Sequence, residues 1–130
     1  MKSVILTIGS DEQMSMELTT EFLNYPLLLR AERIGQDINV LCVGGSQPHL
    51  GGCAIAVPYP RISSFGTSIS QFSLPGHQDA VLAGAIAKQL CKQFQAIVFV
   101  QCGIHYDDLS AAELTALQTT ILDLCGKLEV

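Results

Sequence analysis

The residues best suited to chemistry in this chain are its three histidines, and each sits in a segment marked by glycine or proline after a stretch that reads as a strand. The segments are Gly44-Gly45-Ser46-Gln47-Pro48-His49-Leu50-Gly51-Gly52, Leu74-Pro75-Gly76-His77-Gln78-Asp79 and Cys102-Gly103-Ile104-His105-Tyr106-Asp107-Asp108. An imidazole binds metals and phosphate oxygens, stacks on flat rings and moves protons near neutral pH. Loops held at the ends of rigid strands are where proteins usually present such groups. Loop polarity alone would also place histidines here, but the flanking residues are not ordinary loop filler.

Each segment admits a specific use. Pro75-Gly76-His77 leads into a helix that starts near Asp79, and backbone N–H groups at such a turn receive anions such as phosphate. An ordinary tight turn reads the same way, and the Asp79 carboxylate would compete for those amides. Gly44-Gly45 and Gly51-Gly52 flank Pro48-His49. Paired glycines let a backbone approach a flat ligand or a phosphate closely, although a wide hairpin needs them too. This is not a dinucleotide fingerprint, because the spacing is wrong and no helix follows. Cys102-x-x-His105 with Asp107 and Asp108 has metal-ligand chemistry, and His77 would be a further ligand. Cys102 is also a conceivable nucleophile if a base lies beside it. Arg61, after Tyr59-Pro60, is the arginine best placed for a phosphate, or else a solvated loop charge.

The elements that must position these groups fall into two halves. Val4–Ile8 is a short apolar run that suits a first strand, and Asp11–Tyr25 is polar-mixed without a clear assignment. Leu27–Ile34 and Asp37–Val43 bracket Gly35-Gln36 as a hairpin. Cys53–Val57 is a further strand that Pro58-Tyr59-Pro60 should end. Thr67–Leu74 alternates, with Ile69, Phe72 and Leu74 among serines. The second half is helical around one strand. Ala80, Ala83, Ala87, Leu90, Cys91 and Phe94 share one face over Asp79–Phe94. Gln95–Val100 is a continuous apolar strand. Ser110-Ala111-Ala112-Glu113 is a capping box, and Leu114, Leu117, Ile121, Leu124 and Leu128 form the last helix's stripe.

The expected fold is therefore α/β (α+β): a mixed β-sheet with N-terminal hairpin strands followed by a C-terminal β-α-β-α unit. The two strands of that unit should run parallel as neighbours. Their carboxyl ends then share one sheet edge, where open α/β sheets bind ligands, and the loops of His77 and His105 leave from it.

Composition bounds the rest. A chain of 130 residues reads as one domain with a real core. It is 48% hydrophobic and only 15% charged, which suggests apolar surface covered by a subunit, and a homodimer is expected. The net charge of −5 and the scattered lysines and arginines argue against nucleic acid. Five cysteines, mostly in apolar runs, fit free thiols in a reducing compartment. Met1–Gly9 is too short for a signal-peptide core, and no stretch has transmembrane character, so a soluble cytoplasmic protein without membrane contact is expected.

Pro-His-Leu-Gly-Gly at 48–52, Leu-Pro-Gly-His-Gln-Asp at 74–79 and Cys-Gly-Ile-His-Tyr-Asp-Asp at 102–108 resemble the LpdD-like family over roughly residues 37–128. That family is associated with gallate decarboxylase as its D subunit and is described as a prenylated-flavin chaperone. The resemblance implies an accessory protein with no catalytic residues of its own. It would hold prenylated FMN (or FMN), made by a UbiX-type prenyltransferase, for a UbiD-type decarboxylase of gallate-like aromatic acids. The residues whose chemistry suits that task are His49, Gly51, Gly52, Arg61, Pro75, Gly76, His77, Gly103 and His105. Phe72 or Tyr106 could pack on the ring, although Phe72 suits the core better. The alternatives are a small metal-dependent enzyme using His77 and His105, and a structural decarboxylase subunit without cofactor.

Overall fold

A computed structural model describes residues 6–10, 13–60, 65–76 and 79–130. His77, Arg61 and Val4 therefore lie outside the described residues. The chain runs β1 (Leu6–Ser10), β2 (Gln13–Phe22), β3 (Tyr25–Ile34), β4 (Asp37–Gly45), β5 (Gly52–Pro60), β6 (Phe65–Ser73), α1 (Asp79–Phe94), β7 (Val98–His105) and α2 (Ala111–Cys125). The strands form one mixed sheet in the order β1-β2-β3-β4-β7-β5-β6, with β4 and β7 parallel and the other pairs antiparallel. This is the expected α+β arrangement of N-terminal hairpin strands and a β-α-β-α unit.

The polar-mixed segment left unassigned is β2. Its inward residues Met16, Leu18 and Thr20 are buried, while Glu17 and Glu21 keep the other positions polar. Leu23 and Asn24 turn the chain into β3 with φ of 50° and 68°, as a two-residue hairpin loop requires. Gly35, at φ 62°, turns β3 into β4 as expected.

Several expectations of strand order and extent need correction. Pro58-Tyr59-Pro60 does not end β5: these residues pair with Thr67, Gly66 and Phe65 of β6. Pairing of β5 with β7 stops at Ala56, so the prolines lie where the strand is paired on one side only and a missing N–H is tolerated. The strands β6 and β7 do run in one direction, but β5 lies between them. The last strand starts at Val98, after Gln95 turns at φ 51°, and continues to His105, so Cys102–His105 are strand residues. The segment from Gly44 to Gly52 closes no hairpin, because β7 separates β4 from β5.

Both helices share one core with one face of the sheet. Val40, Cys42, Leu29, Ala54, Val98 and Val100 meet Ala83, Ile86, Leu90, Leu117, Ile121 and Leu124 there. The helix α2 begins as the capping box predicts: Ser110 Oγ accepts from Glu113 N at 3.1 Å, and Ser110 N donates to Glu113 Oε1 at 3.0 Å. Its stripe is buried from Leu117 onward, but Leu114 is exposed, one turn beyond the sheet's cover. Phe72 is not a core residue: it lies beside Cys53 on the sheet face away from the helices and is 62% exposed.

Candidate functional site

Because β4, β6 and β7 run the same way, their carboxyl ends lie on one sheet edge, and the three histidine segments leave from it. A cavity of about 300 Å³ opens there, lined by residues that include His49, Gly76, Asp79, Ile104, His105 and Tyr106. Its other wall is apolar: Val81 and Leu82 of α1, Leu109, and Leu114 and Leu117 of α2. The exposed position of Leu114 thus belongs to the cavity.

Asp79 is the pivot of the site. It is the first residue of α1, and its side chain is only 9% exposed. Oδ1 accepts from the Ile104 N–H of β7 at 3.0 Å, and Oδ2 meets His49 Nε2 at 3.1 Å. His49 Nδ1 lies 2.9 Å from the Gln47 carbonyl oxygen. Gln47 O and this carboxylate are both acceptors, so the ring makes both bonds only when it carries two protons, and the contact is then an ion pair. One carboxylate therefore ties the loop after β4 and the end of β7 to the start of α1.

Two glycines permit this closeness. A Cβ on Gly51 would overlap Asp79 Oδ2 and press on His49 Nε2, and one on Gly103 would overlap the His49 carbonyl group. The space beside them is filled by the chain itself. Gly51 N also donates to Cys102 O at 2.9 Å, which carries the loop back into β5. Gly52 packs in the same way under Ala80. Gly76 faces open space at the cavity, and Pro75 is exposed on the same turn.

His105 is held differently. Its carbonyl oxygen accepts from Ser46 N at 2.8 Å, while its 44% exposed side chain meets Asp107 Oδ1 at 3.0 Å. The next residue, Tyr106, donates its hydroxyl to Phe22 O at 2.8 Å. It also makes edge-on ring contacts with Phe22 and Tyr25, at centroid distances of 5.6 and 5.9 Å. Burial, with the Tyr25 phenol nearby, pushes the Tyr106 hydroxyl up to about 12. The ring therefore stays neutral and fixed against the cavity.

Cys102 lies beneath the site, beside Cys42 across the β4–β7 pairing. Its thiol is pushed far above the ordinary range by its hydrogen bond with the Cys42 thiol, by burial and by the charges of Cys42 and Asp79. Burial likewise drives Cys125 up to about 12. A thiol held this firmly protonated is a poor nucleophile, which disfavours the cysteine reading. Among the described residues, no three His, Cys, Asp or Glu side chains are grouped to hold a metal ion.

The structure thus brings together His49, Gly51, Gly52, Gly76, Gly103 and His105, with Pro75 at the margin. The unpredicted members are the Ile104 N–H that Asp79 caps, the Phe22–Tyr25 cluster and the Val81–Leu109–Leu114 wall. Asn24 at a hairpin position was the available signal for the aromatic cluster. The apolar wall carries no sequence signal beyond ordinary hydrophobicity.

A family model of the prenylated flavin chaperone LpdD-like domain matches residues 21–129. The chain belongs to this family. It is 25% identical over 108 residues to Protein LpdD of Lactiplantibacillus plantarum, which covers 82% of this chain and 76% of that protein. The match begins within β2, earlier than the motifs alone suggest. Among solved structures, a chain of a chaperone complex for yeast 20S proteasome assembly aligns with a TM-score of 0.48 and 18% identity. That alignment covers 95% of this chain and 91% of the other. Membership of the LpdD-like family supports a chaperone or accessory role. No helix among the described residues is long and apolar enough to cross a membrane.

Proposed function

We propose that this protein binds prenylated FMN at the carboxyl edge of its sheet and acts as an accessory chaperone in maturing a UbiD-type aromatic acid decarboxylase of the gallate type. The observation that carries this reading is the cavity itself. One wall is lined by the apolar Val81, Leu82, Leu109, Leu114 and Leu117, and the opposite rim holds two histidines that each have a carboxylate partner. Its volume lies at the lower end of ordinary ligand sites, about 300–1,000 Å³. An open cavity of this size suits a ligand that must be released again.

The fit to the two parts of the cofactor differs. Val81, Leu109, Leu114 and the Tyr106 ring would receive the isoalloxazine or the prenyl-derived ring. His49 or His105 would bond its polar edge. No lysine or arginine is among the described lining residues, so the phosphate would rest on the backbone turn at Pro75-Gly76. When bound, the group would supply the electron sink used by the decarboxylase; this chain's residues would hold it, exclude water at the apolar wall and hydrogen-bond its polar edge. A reducing cytoplasm suits both the oxygen-sensitive reduced ring and the free thiols. A UbiX-type prenyltransferase would be the donor.

Anaerobic titration with reduced prenylated FMN tests the reading. The wild type should bind, and His49→Ala, His105→Ala and Leu114→Lys should each weaken binding by about tenfold or more, as the loss of one good contact implies. No binding by the wild type overturns the function. Unchanged binding by all three variants overturns the site.

A further inference from the structure

The two helices leave one face of the sheet uncovered. On β4, β7, β5 and β6 the residues that alternate with the core point to that face. They include Leu41, Val43, Ile55, Val57, Phe72 and Phe99. Three of them are well exposed: Val57 at 40%, Phe99 at 48% and Phe72 at 62%. The register makes the patch continuous, because Phe99 lies beside Ile55 and Phe72 beside Cys53. Such a surface normally marks an interface.

Charge and area indicate its occupant. Between Asn39 and Val43 on β4, and along the facing parts of β7, β5 and β6, no described residue on this face is charged. The charges flank it along one side: Arg30 beside Leu41 and Glu32 beside Asn39 on β3, Glu17 and Glu21 on β2, and Asp37 at the start of β4. In a two-fold contact each residue meets the same surface on the second copy, so a charged patch repels itself and a neutral one does not. This patch is neutral although the chain carries a net charge of −5. A different protein would find no charge here to select it. The area also fits. The four neutral strands, about 4.8 Å apart and roughly 30 Å long, present on the order of 600 Å². Two such faces together bury about 1,200 Å², the lower end of the range for a specific stable interface.

We propose that two copies of this chain associate sheet against sheet through the open face centred on Phe99, Ile55, Val57 and Phe72. The assembly is a four-layer sandwich with both cofactor edges free and the helices outermost. Packing of two sheets about 10 Å apart buries the exposed rings between them. This inference is independent of the flavin reading.

Sedimentation velocity of the full chain tests it. The wild type should sediment at twice the chain mass of 14.0 kDa. Phe99→Glu alone and Phe99→Lys alone should each be monomeric, because like charges then face each other near the two-fold axis. Each should raise the dissociation constant by roughly a hundredfold or more. An equimolar mixture of the two should recover the dimer, which no folding defect would allow. Val57→Glu and Val57→Lys carry the same expectation if the Phe99 variants do not fold, as judged by circular dichroism. A monomeric wild type, including one that associates only with a decarboxylase, overturns the proposal. So does a dimer that persists in both glutamate variants.

Discussion

The two ends of the β4–β7 pair are closed in opposite ways. At the amino end the closure is made by one long side chain. Arg33 donates to Gln36 O at 2.8 Å and to Val130 O at 3.2 Å, and its guanidinium lies 5.3 Å from the centroid of the Phe94 ring. At the carboxyl end, closure is made by backbone. The His49 carbonyl sits over Gly103, the Asp79–His49 pair sits over Gly51, and the Asp79 carboxylate caps Ile104 N. A flexible arginine can be lost with modest harm, because its neighbours relax. Backbone packed on glycine cannot relax, and it leaves a fixed cavity beside it. A rigid edge is the one suited to hold a ligand.

The comparison predicts unequal costs. Gly103→Ala should be the most damaging change, destabilising by about 3 kcal/mol or preventing folding, as overpacking against backbone does. Chemical denaturation checks it, and a mild effect would mean the edge is softer than its contacts imply. Asp79→Ala should cost about 1–3 kcal/mol by leaving the Ile104 N–H unsatisfied, while Asp79→Asn, which keeps an acceptor, should cost less. Arg33→Ala at the other edge should cost only about 0.5–1 kcal/mol. If Arg33→Ala proves as harmful as Gly103→Ala, the contrast between the edges fails.

The alkaline limb of stability sharpens the same contrast, because the raised groups lie under and beside the carboxyl edge. Cys102, Cys125 and Tyr106 keep their protons to higher pH in the folded chain than in the unfolded one. The folded state then binds more protons, so stability falls as pH rises. The loss should begin near pH 9, where unfolded thiols ionise, and continue toward 12 as the Tyr106 phenol is reached. Melting temperature against pH measures it, and Cys125→Ala should flatten the slope. The smallest stability effect belongs to His105→Ala, within about 0.5 kcal/mol, because its pair with Asp107 is exposed. Its effect should appear in ligand binding instead.

Much of the fold was legible locally. The Asp79–Phe94 helix, the Ser110–Glu113 box and the Gly35-Gln36 hairpin depend on neighbours in sequence, and all three stand as read. Misreadings arose where a distant strand decided the outcome. Pro58 and Pro60 stay in β5 because β6 pairs with them and β7 has already ended. Phe72 is outside because its register with Cys53 turns it to the sheet face that the helices do not cover. Leu114 keeps its helical spacing but overhangs the cavity, which periodicity cannot reveal.

By itself the sequence determined which residues could do the chemistry, and that they lie near strand ends: His49, His105 and the glycines around them. Only the tertiary structure decided that β4 and β7 pair in parallel and so bring His49 and His105 to one edge. It also gave Asp79 its partners, Ile104 N and His49, and left one sheet face uncovered by either helix. The reason is physical. Capping, turns and periodicity are contacts over a few residues, whereas strand order and close backbone approach are set by contacts between segments tens of residues apart.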